Sequence, residues 1–148
     1  MKPKERIKEK IEDIEVLLEE LEEIMPNDFE DYVKIRNKAA CERYFEKIIE
    51  AIVDVAFLVI KDRTLKIPEE DKEAFDILAD KKIISKELAI RLKDAKGMRN
   101  ILAHEYGVVK DDLVFNSVKN EILSDSREFI KHVEDNLNTD DKKEKNEE

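Results

Sequence analysis

The chain has 148 residues, 41% hydrophobic and 45% charged, enough for one domain with a moderate core under a densely ionic surface. A net charge of −10 and a pI near 4.9 argue against a general nucleic-acid binder, and no DNA partner is expected. Gly 2, Pro 3 and Trp 0 disfavour turn-rich β folds and favour long helices with few connections.

Apolar residues then recur with the helical period along nearly the whole chain. The charged start, MKPKERIKEKIEDIE, is not a signal peptide. Ile7, Ile11, Ile14, Leu17, Leu18, Leu21 and Met25 form one stripe of a first helix, with Glu and Lys solvated on its other faces. Pro26-Asn27-Asp28 ends it, and Asp28 is placed to cap a second helix. That helix is predicted as one long element from about Phe29 to Asp62, with a stripe through Tyr32, Ile35, Ala39, Phe45, Ile48, Ile49, Ile52, Val55, Ala56 and Val59. Its second half is apolar over more than half its circumference, so it is either the central helix or part of an oligomer interface. The longest apolar run, AIVDVAFLVI, is broken by Asp54 and falls short of the roughly 20 residues of a membrane span. The single Cys41 excludes an internal disulfide and reads as a small core residue. Together these features predict a soluble, cytoplasmic protein.

Thr64–Pro68 is a connection. A third helix follows over about Glu70–Lys81, burying Phe75, Leu78 and Ala79. Ser85 caps a fourth, with a stripe of Leu88, Leu92, Ala95, Met98 and Leu102 and a stop at Gly107. A fifth, capped by Asp111 or Asp112, carries Val114, Val118, Ile122, Phe129 and Val133. The short GVV at 107–109 is the strongest strand signal, and it is weak. The expected fold is all-α, an antiparallel bundle of four or five helices over residues 1–137 that dimerises, with a disordered acidic tail over 138–148.

One segment gathers chemistry: MRNILAHEYG, Met98–Gly107. Arg99 and Tyr106 lie two turns apart on one helical face, and Asn100 and His104 share the adjacent face. His104 is about 140° around the axis from Arg99, yet a long Arg side chain can reach the same groove. Arg offers a planar fork of donors for a phosphate. His moves a proton near neutral pH. Tyr adds a hydroxyl and a stacking face, and Asn an amide. The set suits RNA cleavage by the neighbouring 2′-hydroxyl, with His104 moving the proton and Arg99 stabilising the transition-state charge, and it needs no metal and no cofactor. Between Lys81 and Asn100, seven basic residues stand against two acidic ones, a local +5 that a polyanion could use.

The spacing Arg99-x4-His104-x-Tyr106 resembles the signature of the HEPN superfamily, and most closely its HepT-like branch. The resemblance extends over most of the chain. RLKDAKGMRNILAHEYG is similar to the family's most characteristic block, with Gly97 two before the Arg and Asn100 directly after it. Glu50-Ala51-Ile52 and Asp54 resemble a Glu-Ala-Ile-x-Asp feature of the long helix. The resemblance implies a helical homodimer whose Arg/His pairs face a shared cleft. It implies a metal-independent ribonuclease toxin with Arg99 and His104 catalytic and Asn100 supporting. It also implies a cognate minimal nucleotidyltransferase antitoxin that silences the toxin by attaching AMP to Tyr106.

Plainer readings stand beside these. His104 can be a helix-end histidine facing the C-terminal dipole. Arg99 can form an ion pair with Glu105 or with the long second helix, and Tyr106 can pack under the fifth helix. Glu50 and Asp54 read as ion-pair partners of Arg or Lys in the bundle, and His132 as a surface residue. A non-catalytic module that binds a nucleotide or a nucleotidyltransferase is the alternative function, and a plain dimerising bundle without a ligand is a third.

Overall fold

The computed structural model describes the backbone of residues 2–104 and 110–147, and the side chains of 2–102 and 110–139. In order come α1 (Pro3–Ile24), α2 (Phe29–Tyr32), α3 (Ile35–Asp62), α4 (Asp71–Asp80), α5 (Lys86–His104), α6 (Asp111–Asn116), a π turn (Ser117–Glu121) and α7 (Ile122–Glu147). Among the described residues there is no strand, as the periodicity predicted; GVV and the helix stop at Gly107 lie outside them. Among the same residues no helix is long and apolar enough to cross a membrane.

The first helix starts with Pro3 in its first turn, where a missing N–H costs nothing. Pro26 pushes Met25 into an extended conformation (φ −63°, ψ 120°) and so ends it. Ile7, Ile11, Ile14, Leu18 and Leu21 are buried, each contributing roughly 1.5–3 kcal/mol relative to exposure. They pack on α3, and the polar pairs Lys10–Asp54 and Tyr44–Glu20 show the two helices running antiparallel.

The long second helix is in fact two elements. Asp28 caps α2 as expected, its carboxylate accepting from Asp31 N–H at 2.8 Å. After one turn the chain opens at Lys34 (φ −62°, ψ 132°). The Asp31 carbonyl is taken by the Asn37 side-chain amide at 2.9 Å, and its carboxylate by Lys34 Nζ at 2.9 Å, so local polar bonds replace the helical ladder. The break resets the helical phase. Ile35, expected on the stripe, is 85% exposed, and Ala39 is also exposed. From Cys41 onward the prediction holds: α3 buries residues around most of its circumference and contacts α1, α4, α5 and α7, which makes it the central helix.

Leu88 N–H donates to Ser85 Oγ at 3.1 Å, the expected cap of α5. Lys110, not Asp111 or Asp112, is the N-cap of α6; the two aspartates occupy its first turn, where the helix dipole favours them. Val114, Val118 and Ile122 are buried. Steps of four drift about 40° each around an α-helix, and the wider π turn takes up that drift. Phe129 and Val133 continue the buried face, with Phe75 edge-on to Phe129 at 6.4 Å. Leu137, on α7, is buried as well. The backbone nevertheless stays helical to Glu147, where composition had suggested a disordered tail from 138. A stretch rich in Lys and Glu has no core to build but favours helix.

Candidate functional site at the end of α5

Helix α5 is fixed before the motif begins. Leu88 and Leu92 are buried, and Ala95, Met98 and Leu102 pack partly against the core. Ion pairs then tie its polar side to three neighbours. Arg91 meets Asp125 at 2.9 Å and Glu128 at 2.6 Å on α7; Lys93 meets Asp76 at 2.8 Å and Lys96 meets Asp71 at 3.2 Å on α4; Arg99 meets Glu50 at 3.3 Å on α3. The basic strip counted along the sequence is therefore largely paired in space. A count within one helix cannot see the acids that other helices bring to it. Lys81, Lys82 and Lys86 remain exposed at the helix start.

Two adjoining clefts meet at Arg99. One, of about 610 Å³, is lined by Asp71, Lys72, Lys96, Arg99, Asn100 and Ile101 among others. The other, of about 360 Å³, runs along α3 past Glu50, Val53, Asp54 and Phe57. Arg99 is mostly buried, its side chain 18% exposed, and its Nε has no hydrogen-bond partner among the described residues. The Glu50 carboxylate holds one end of the guanidinium beside the open cleft. Of the plainer readings, the pair with the long helix is the one seen for Arg99, and Glu50 and Asp54 have the structural pairs expected of them. Asn100 lines the cleft, with its Oδ1 accepting from Lys96 Nζ at 2.9 Å. The backbone of His104 is the last residue of α5, five residues and about 7.5 Å along the axis from Arg99. Its side chain, and Glu105 and Tyr106 altogether, lie outside the described residues.

Three neighbours of the motif were not read as site residues from the sequence. Lys96 is buried at 6% exposure, between Asp71 and Asn100. Its i,i+4 spacing to Asn100 was the available signal. At Gly97 a Cβ would meet Lys72 Nζ at 3.2 Å, so the missing side chain leaves room for Lys72 to lie across the helix. Among the described residues no three His, Cys, Asp or Glu side chains gather as a metal site. Cys41 is in the core, where burial pushes its thiol pKa up. His132 is partly buried on α7, 3.9 Å from Glu128.

An all-helical bundle that presents Arg and Asn on a cleft beside a helix-end His has the form of a HEPN domain. The family model described as Ribonuclease HepT-like matches residues 8–133, and the chain belongs to that family. The mRNA nuclease HepT of Shewanella oneidensis is 32% identical over 85 residues, 57% of this chain and 63% of that protein. A putative RNase of Archaeoglobus fulgidus is 37% identical over 89 residues, 60% of this chain and 66% of that protein. The chain thus spans a little under two thirds of these relatives. Among solved structures, the tri-AMPylated HEPN toxin of Shewanella oneidensis in complex with MNT antitoxin matches with a TM-score of 0.81 at 24% identity, covering 86% of this chain and 96% of that one. YutE of Bacillus subtilis, a cytosolic protein of unknown function, matches with a TM-score of 0.78 at 20% identity, covering 93% of this chain and 92% of that one. At these identities the structural likeness is one of fold.

Proposed function

We propose that the protein is a metal-independent endoribonuclease toxin, paired with a minimal nucleotidyltransferase antitoxin. The observation that carries this reading is Arg99, held by Glu50 at the edge of an open cleft on the helix that ends at His104. An RNA strand in the cleft would set a phosphate against the guanidinium. Its 2′-oxygen attacks the phosphorus while His104 takes the hydroxyl proton. The bond from phosphorus to the 5′-oxygen breaks, leaving a 2′,3′-cyclic phosphate and a 5′-hydroxyl that collects a proton. Arg99 offsets the charge that builds on the phosphoryl oxygens, and Asn100 supplies amide donors. In a homodimer with the two clefts facing, one imidazole accepts the first proton and the other delivers the second.

Regulation follows from Tyr106. The antitoxin would direct Tyr106 Oη onto the α-phosphorus of ATP, expelling pyrophosphate and leaving AMP on the tyrosine. The family match, the relative named as an mRNA nuclease and the AMPylated toxin of the same fold support this reading.

The test is cleavage of RNA by purified protein in EDTA. His104→Ala is expected to lower the rate by about 10²–10³. RNA equally intact with wild type and variant, on protein shown by intact mass to carry no AMP, would refute the nuclease. A second reading, a non-catalytic module binding a nucleotide or a nucleotidyltransferase, gains from the net charge of −10 and from the pairing of the basic strip with carboxylates. Expression without the antitoxin separates the two, because only the toxin arrests growth.

A further inference from the structure

Lysine is among the residues least often buried, because its ammonium loses hydration that partners must replace. Lys96 is nonetheless 6% exposed and lines both clefts. Two groups hold it: Asp71 Oδ2 at 3.2 Å, on the first residue of α4, and Asn100 Oδ1 at 2.9 Å, one turn on along α5. Asp71 alone would suffice as a counter-ion. The contact to Asn100 does something different.

An ammonium can only donate. Whatever faces Lys96 from the Asn100 amide must therefore be the oxygen. The opposite orientation would set the amide hydrogens against three ammonium hydrogens at hydrogen-bond distance. The amide is thus held in one of its two flips, with Oδ1 toward Lys96 and the two Nδ2 hydrogens left for the cleft that Asn100 lines. Asp71 in turn anchors the ammonium from α4, so the orientation is braced from a second helix.

We infer that Lys96 is a positioning residue of this site: clamped between Asp71 and Asn100, it fixes the Asn100 amide with its donors toward the phosphodiester of a bound RNA. The inference rests on the nuclease reading above. It adds a residue that touches no substrate and acts through Asn100. Pre-orienting a donor matters because an amide free to flip presents the wrong end for part of the time and must reorganise during the reaction.

The experiment is a double-mutant cycle on RNA cleavage in EDTA, with melting temperature followed in parallel. Lys96→Met keeps length and packing but removes the ammonium. It is expected to lower kcat about tenfold with KM within twofold. Asn100→Ala should lower kcat at least as far, and adding Lys96→Met to it should change kcat less than twofold further, because the lysine then has nothing left to orient. A third variant, Asn100→Asp, still accepts from Lys96, so it keeps the clamp and the fold while losing the donors; its kcat should fall as in Asn100→Ala. If wild type cleaves and Lys96→Met keeps its kcat, the inference is overturned while the nuclease stands. Additive losses in the double variant, or full activity in Asn100→Asp, overturn it in the same way. A wild type that leaves RNA intact refutes the nuclease and the positioning role with it.

Discussion

Tyr32 is fully buried, its ring 5.0 Å from that of Phe115 and 6.4 Å from that of Phe29, yet its hydroxyl has no hydrogen-bond partner among the described residues. Burial, and then the nearby Glu42 carboxylate, push the phenol pKa well above its ordinary value. The hydroxyl stays protonated at any ordinary pH, and without a partner among the described residues its burial costs about 1–3 kcal/mol. Tyr32→Phe keeps the ring and deletes that cost. The expected outcome is a melting temperature unchanged or raised by a few degrees, since about 1 kcal/mol corresponds to roughly 2–4 °C at this size. A fall of more than about 3 °C, by calorimetry, would mean that the hydroxyl is bonded in solution. This orphan could not be read from residue spacing, and of the Arg99–Glu50 pair the sequence offered an ion pair with the long helix as one alternative without matching the two residues. The types and positions of Arg99 and Asn100 were legible because helical periodicity fixes which residues share a face. Their partners come from α3 and from Lys96, through packing and a side-chain choice that spacing leaves open.

Helix ends were legible wherever a side chain or a ring dictates the backbone. Pro26 stops α1, Asp28 starts α2 and Ser85 starts α5, each through a bond or a steric exclusion that involves only its neighbours in sequence. The break at Lys34 was not legible, because no Gly or Pro marks it and the stretch keeps an apolar rhythm. It arises from competition by Asp31, whose carbonyl and carboxylate are both taken by side chains. The π turn was hidden for a similar reason: buried residues four apart fit an α-helix almost as well. Ser85 offers the cleanest test at this scale. Its hydroxyl caps the helix that carries Arg99, Asn100 and His104, and Ser85→Ala should cost about 1 kcal/mol. That is a drop of about 2–4 °C in melting temperature. The cap is more than twelve residues from Arg99, and α5 is pinned between by Leu88, Leu92 and its ion pairs. RNA cleavage well below the melting point should therefore stay within twofold of wild type. A loss of cleavage larger than the loss of stability would show that the start of α5 controls its far end.

At the scale of the molecule, the proposed nuclease requires that a chain of net charge −10 present its cleft to a polyanion. One chain alone offers little: of the cations in α5, those from Arg91 to Arg99 face carboxylates. Pairing two copies about the cleft face would bring two Arg99 guanidinium groups to one phosphate path and exclude water from both, strengthening every charge interaction there. The apolar surface on this side fits such a contact. Ile101 is 41% exposed at the cleft, between Asn100 and His104 on α5, and Val53 and Phe57 line the adjoining cleft on α3. A stable interface buries about 1,200–2,000 Å² in total, and an exposed Ile at its centre is the kind of anchor that Asp would abolish. Light scattering at micromolar concentration should therefore give about twice the 17.4 kDa chain mass. Ile101→Asp should shift the mass toward that of one chain, leave helical circular dichroism unchanged, and lower RNA cleavage by at least tenfold although Arg99, Asn100 and His104 are intact. A monomeric wild type that still cleaves would remove the shared cleft from the mechanism and leave the second proton transfer to a group of the same chain. If Ile101→Asp is monomeric and fully active, the dimer exists for another purpose, such as docking the antitoxin.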